Sequence, residues 1–164
     1  LIFGNATRVM SLRNGNKKMS KSDDSDYSRI NLLDDEDTIA NKVRKAKTDS
    51  GLIMGGESLD NQGNFKNDIV FERPEAVNLI NMLCATEDNS KEKVLAKFAG
   101  KNFSSLKEYL AESLINRIVP IGKEMKKMLL DADYLESVLK KGAETAENES
   151  KKNLLDIKKI IGFY

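Results

Sequence analysis

Leu106, Leu110, Leu114, Ile118, Ile121, Met125 and Met128 recur every three or four residues. No other feature limits the possible folds of this chain so strongly. The spacing draws one apolar stripe along an α-helix. At 1.5 Å per residue the stripe runs for ~33 Å. It must be covered by another apolar surface, so the chain has to build helix on helix. Ser105-Leu106-Lys107-Glu108 is a capping-box pattern and predicts the helix start. Pro120 removes one ladder bond and crowds the Asn116 carbonyl, which predicts a kink. The methionines Met125 and Met128 read as core rather than as a ligand site. Lys123, Lys126 and Lys127 read as a solvated face.

Other helices are legible on both sides. The acidic run Asp34-Asp35-Glu36-Asp37 suits a helix N-terminus, where carboxylates cap free N–H groups and meet the positive end of the dipole. Ile39, Val43 and Ala46 come next at helical spacing, predicting a helix over 36–47 with Lys42, Arg44, Lys45 and Lys47 toward its end. Pro74 suits a first helical turn, followed by Val77, Ile80, Leu83 and Cys84 on one face. Ser90 can cap a short helix through Phe98, ended by Gly100. Asp131 or Asp133 can start a further helix carrying Leu135, Val138 and Leu139. Gly142-Ala143 then leads into a last one with Ala146, Leu154, Ile157, Ile160 and Ile161. The expected core includes Leu110, Leu114, Ile118 and Leu139. Between the first two helices, 50–71 is rich in Gly, Asn, Asp and Ser and reads as a mobile loop, an insertion or a lid. Strand signals are confined to Ile2-Phe3, Val9-Met10 and Ile69-Val70-Phe71.

Composition excludes several classes of chemistry. The chain has 164 residues, enough to bury a core, with a net charge of +1 and no histidine. Imidazole bases and His-ligated metals are therefore out, and any nucleic-acid surface has to be local. A single cysteine, Cys84, rules out an internal disulfide and reads as core in a reducing compartment. No run approaches the ~18 apolar residues of a membrane span. The opening Leu1-Ile2-Phe3-Gly4 does not read as a signal peptide. Neither a Gly-x-x-x-x-Gly-Lys loop nor a Gly-x-Gly-x-x-Gly fingerprint occurs.

What remains is Lys18-Met19-Ser20-Lys21-Ser22, entered through Asn14-Gly15-Asn16-Lys17 as a glycine turn and followed by Asp23-Asp24. Two lysines can track moving phosphate oxygens as point charges. Serine hydroxyls and loop N–H groups can donate to the same oxygens. Asp23 and Asp24 read as residues that orient the loop or cap the element after it. Highly charged and with Met19 as its one apolar anchor, 14–24 is expected to be mobile without nucleotide.

Arg8-Val9-Met10-Ser11-Leu12, a short polar turn and Lys17-Lys18-Met19-Ser20-Lys21-Ser22-Asp23 together resemble the signature loop of class I aminoacyl-tRNA synthetases. The Val-Met-Ser-Leu lead-in is closer to the tryptophanyl than to the tyrosyl branch. Thr48-Asp49-Ser50, Glu72-Arg73-Pro74-Glu75-Ala76 with Asn78-Leu79, Pro120-Ile121, Asp131 and Gly142-Ala143-Glu144 with Ala146 are similar to further landmarks of that branch. Only 51–71 departs from the pattern. The resemblance implies a mainly α chain: residues 1–34 as the end of a Rossmann-like catalytic domain carrying the signature loop, and 35–164 as a helical bundle of anticodon-binding type. No HIGH-type motif is found, so the chain is expected to correspond to the C-terminal part of such an enzyme.

The activity implied is ATP-dependent activation of tryptophan and its transfer to tRNA. Lys18 and Lys21 would be catalytic. Val9, Lys18, Met19, Ser20, Lys21 and Ser22 would bind ATP, with Mg²⁺ arriving as part of the ATP complex and no metal held by the protein. Implied partners are the tryptophan tRNA, ATP and L-tryptophan, within a homodimeric parent and away from membranes. The implied location is cytoplasmic or an organellar matrix. Taken alone, the chain is expected to be inactive. Two other readings stand beside this one: a non-catalytic helical module that binds tRNA, and a helical protein-interaction domain with a chance lysine loop.

Overall fold

The computed structural model describes residues 8–163. The strand expected at Ile2-Phe3 lies outside them. The chain forms two compact units, one running to Gly122 and one from Lys123.

The first unit opens with a hairpin, β1 (Met10–Ser11) antiparallel to β2 (Asn14–Lys18). Its turn is Leu12-Arg13, two residues earlier than the glycine suggested. Met10 faces Lys18 and Ser11 faces Asn14, so β2 bulges between these two pairs. Gly15 is therefore a strand residue. A Cβ on it would collide with the Pro74–Glu75 backbone, so close approach rather than turning requires glycine here. Leu12 is 1% exposed. Its N–H donates to Ser28 O at 2.9 Å and its carbonyl accepts from Lys47 N at 2.7 Å.

A 3-10 turn (Asp26–Ser28) precedes α1 (Glu36–Arg44). The expected cap is present: Asp35 accepts from Thr38 N at 2.8 Å. The helix stops short of the expected residue 47, because other partners take the groups that would continue it. Lys107 Nζ donates to the Arg44 and Ala46 carbonyls at 3.3 and 2.7 Å.

The segment 50–71 is no open loop. Ile53, Met54, Leu59 and Phe65 join the core. Ile53 exchanges backbone hydrogen bonds with Lys101 O and Gly100 N, both at 2.9 Å. The expected strand at Ile69–Phe71 is instead helix α2 (Asn67–Glu72), which leads directly into α3 (Pro74–Glu87) with proline at its start. Helix α3 ends at Asp88 in the left-handed region, φ 52°. It buries Ala76 through Ile80 and Met82 through Cys84, and α4 (Lys91–Phe98) packs on it.

Helix α5 (Phe103–Leu130) begins before the predicted capping box. Ser105 sits inside the first turn, its hydroxyl donating to Asn102 O at 3.0 Å, so it caps nothing. Leu106, Leu110 and Leu114 are buried as their spacing requires, and Ile118 is packed against them at the margin.

The second unit holds the end of α5 and α6 (Ala132–Ile160), capped by Asp131 accepting from Tyr134 N at 2.9 Å. Helix α6 runs unbroken through Gly142, where two helices were expected. None of its residues is buried, and Leu139 is 73% and Met128 47% exposed, against the expectation of core. Periodicity fixes which face is apolar; it carries no information on whether a partner covers that face.

Candidate functional site

Val9 and Lys18 through Ser22 come together at the open end of the hairpin. Lys18 ends β2, and the chain then leaves the ladder through Met19 and Ser20. The Met19 amide donates to Val9 O at 3.1 Å, and Met19 and Val9 pack against the core. Met19 is thus an anchor, as its sequence position suggested. Lys18 and Lys21 are exposed, and neither has an ion-pair partner among the described residues. Ser20 and Ser22 Oγ lie 3.0 Å apart, and Ser22 N donates to Ser20 Oγ at 3.3 Å. The loop is a small tethered turn that presents two ammonium groups and two hydroxyls to solvent.

The carboxylates after the loop organise it. Asp23 accepts from Ser25 N at 3.0 Å and pairs with Lys17 at 3.5 Å. The Ser25 N–H and then the Lys17 charge hold its carboxyl below the usual range. Lys17 is thereby engaged by the loop's exit, while Lys18 and Lys21 have no ion-pair partner among the described residues.

Three supports that the sequence reading missed fix the hairpin and the loop. Asn78, 4% exposed on α3, accepts from Met10 N and donates to Met10 O, both at 2.9 Å, as a neighbouring strand would. Glu75 accepts from Gly15 N at 3.4 Å and pairs with Lys47 at 2.9 Å. Burial pushes the Glu75 carboxyl up, but the Lys47 and backbone N–H donors outweigh it and leave it below its ordinary value. On α1, Lys42 is 2% exposed and places Nζ 2.6 Å from both Asp26 Oδ2 and Asp34 Oδ2. A signal for Lys42 existed: it falls at position 42 in the series 39, 43, 46, inside the apolar stripe of α1. A lysine on a buried face needs a partner. For Asn78 the signal was its place in the Glu72–Leu79 landmark and among apolar neighbours, which gives no partner.

Two cavities are lined by other described residues. One of about 700 Å³ opens between α1 and α5, lined among others by Arg44, Phe103, Lys107 and Ile115. A second, about 420 Å³, is lined by Arg8, Asn16, Phe65, Asn81 and Lys91. Neither includes a residue of the Lys18–Ser22 turn.

The family model of class I tRNA synthetases (W and Y) matches residues 2–118. A tryptophan–tRNA ligase of Rhizobium meliloti is 45% identical over 163 residues, covering 99% of this chain and 43% of that protein. One of Brucella melitensis is 44% identical, with the same shares. The chain thus spans less than half the length of the curated relatives it matches. Among solved structures, tryptophanyl-tRNA synthetase from Mycoplasma pneumoniae superposes with a TM-score of 0.60 at 25% identity, over 75% of this chain and 36% of that one. No helix among the described residues is long and apolar enough to cross a membrane.

Proposed function

This chain belongs to the class I tRNA synthetases (W and Y), and from that premise we propose that it serves tryptophan–tRNA ligation as the part bearing the phosphate loop and the helical tRNA-binding bundle. The observation that carries this reading is the pair Lys18 and Lys21, exposed and without ion-pair partners among the described residues, on a turn fastened at Val9. The names of the relatives support tryptophan as the amino acid.

In the first step the tryptophan carboxylate attacks the α-phosphate of ATP, and pyrophosphate departs carrying growing negative charge. Lys18 and Lys21 bind that charge more tightly in the transition state than in the ground state, which lowers the barrier. The Ser20 hydroxyl accepts from Ser22 N, and when Ser22 Oγ is the donor between the two hydroxyls the Ser20 proton can donate to a phosphate oxygen. Met19 can lie against adenine as a flexible apolar contact. The Val9 carbonyl already accepts from Met19, which leaves its second lone pair and the Val9 N–H for the adenine edge. Mg²⁺ enters with ATP as part of the substrate. In the second step the 3′-terminal adenosine of the tRNA accepts the tryptophanyl group. Residues 35–164 supply the helical surface for the anticodon arm, and residues 1–34 belong with the catalytic domain. A homodimeric, cytoplasmic enzyme is the assembly this reading implies.

A non-catalytic tRNA-binding module is the second reading, resting on the predominance of helix among the described residues. One experiment separates the two. A ligase of the relatives' full length carrying this sequence is assayed for tryptophan-dependent pyrophosphate exchange, and the chain itself is titrated with tryptophan tRNA at several salt concentrations. Exchange that depends on Lys18 and Lys21 supports the ligase. Exchange indifferent to both lysines, with tRNA affinity falling steeply in salt, supports the module.

A further inference from the structure

Taking the ligase reading as its basis, we propose that Lys42, Asp26 and Arg29 form a relay that positions the Lys18–Ser22 loop from its C-terminal base. The loop has two ends. The first is fastened by the β-ladder and by Met19 N on Val9 O. The second leaves through Asp23, whose carbonyl accepts from Arg29 Nη1 at 2.8 Å. The other terminal nitrogen of Arg29 pairs with Asp26 Oδ1 at 3.1 Å. Asp26 Oδ2 meets the Lys42 ammonium at 2.6 Å, and Lys42 stands on α1 in the interior. The three reach the loop through the Asp23 carbonyl, one residue beyond Ser22.

A purely structural ion pair would need less. Asp34, its side chain 10% exposed, already lies 2.6 Å from Lys42 and supplies one full countercharge. Asp26 is different, with a side chain 53% exposed, so nothing about burial demands its pairing. Its carboxyl is held below the ordinary value by the Lys42 hydrogen bond first and by Asn31 next. The second carboxylate on Lys42 therefore fastens the 3-10 turn Asp26–Ser28 and, through Arg29, the loop base. Lys21 sits two residues before that base, and its ammonium has to meet pyrophosphate within a fraction of an ångström. A misplacement of ~1 Å can cost on the order of 10²-fold in rate. These are positioning residues rather than catalytic ones.

The test uses a ligase of the relatives' full length carrying this sequence, assayed by tryptophan-dependent pyrophosphate exchange. Asp26→Asn keeps Lys42 neutralised by Asp34, and Arg29→Met leaves the buried pair untouched; thermal unfolding confirms that both variants are folded. Each is expected to lower kcat about tenfold with KM for tryptophan unchanged, since a loosened base still lets Lys21 visit its working position. Lys42→Arg, which can still span Asp26 and Asp34, should restore more than half of the activity lost in Lys42→Met. The decisive comparison is made on the Lys21→Ala background. There, Asp26→Asn should cost less than about twofold further, because Lys18 is held from the other end by the β-ladder and Met19, and the group that depends on the C-terminal base is already gone. An equal loss on both backgrounds would assign the triad a structural role only and overturn the relay. The relay also falls if Lys21→Ala slows exchange while Asp26→Asn and Arg29→Met do not. If Lys21→Ala itself changes nothing, the ligase reading of the loop fails, whatever the relay does.

Discussion

Replacing Asn78 by alanine should loosen the hairpin from the helices beneath it. The Asn78 amide makes two hydrogen bonds to Met10, each 2.9 Å, from a side chain that is almost wholly enclosed. A hydrogen bond contributes ~1 kcal/mol net, and a buried group left without a partner costs ~1–3 kcal/mol. Met10 is only half-buried, so water recovers part of the second term. The sum is a loss of ~2–4 kcal/mol for the first unit. With a urea dependence of ~2 kcal/mol/M, the midpoint should fall by ~1–2 M. Asn78→Asp should be as damaging, since its carboxylate would face the Met10 carbonyl. Urea unfolding, monitored by circular dichroism and by hydrogen exchange of the α3 amides, measures the effect. A midpoint within ~0.3 M of the unsubstituted chain at unchanged slope would refute the claim that Asn78 acts as the third strand of this hairpin.

Gly15→Ala should destabilise the same junction by ~1–3 kcal/mol, the usual cost of overpacking, because the added methyl collides with backbone rather than with a movable side chain; a neutral result in thermal unfolding would contradict the close approach. Acid should weaken the first unit through its carboxylates. The Asp23 and Asp26 carboxyls sit below their ordinary values when folded. Their contribution is present above the unfolded value of ~3.9 and is lost as pH falls through the lower folded values, where the unfolded chain has already taken up protons. Asp26→Asn should therefore flatten the low-pH limb of stability measured by urea midpoint between about pH 2 and 7, and a limb of unchanged steepness would count against the Lys42–Asp26 contact.

Sequence legibility tracked the reach of each interaction. Helices α1, α3, α4 and α5 were readable because their signals are local: Asp35 at a cap, Pro74 at a first turn, Gly100 at a stop, and leucines at 106, 110 and 114. The candidate loop was singled out by its two lysines and two serines only together with the lead-in Arg8–Leu12 and the family resemblance they carry jointly. Gly15, Lys42 and Asn78 were misread or missed because their partners lie 60, 8 and 68 residues away in the chain. A glycine needed for close approach looks like a turn until its neighbour is known. The segment 50–71 was misread for a related reason: its polar composition is that of a loop, yet Ile53, Met54, Leu59 and Phe65 reach the core at irregular spacing that follows no helix or strand period. Leu139 failed in the opposite sense, since it lies on a helix as expected but is exposed there.

The central claim is that Lys21 stabilises departing pyrophosphate during tryptophan activation. Its most direct test is tryptophan-dependent ATP–pyrophosphate exchange by a ligase of the relatives' full length carrying this sequence, with and without Lys21→Ala, alongside direct measurement of tryptophan binding. Loss of a charge stabiliser confined to the transition state costs on the order of 10²-fold or more in rate. The account predicts a fall of that size in exchange with tryptophan affinity essentially unchanged. Exchange that proceeds undiminished after Lys21→Ala, or a fall explained entirely by weaker tryptophan binding, would contradict it.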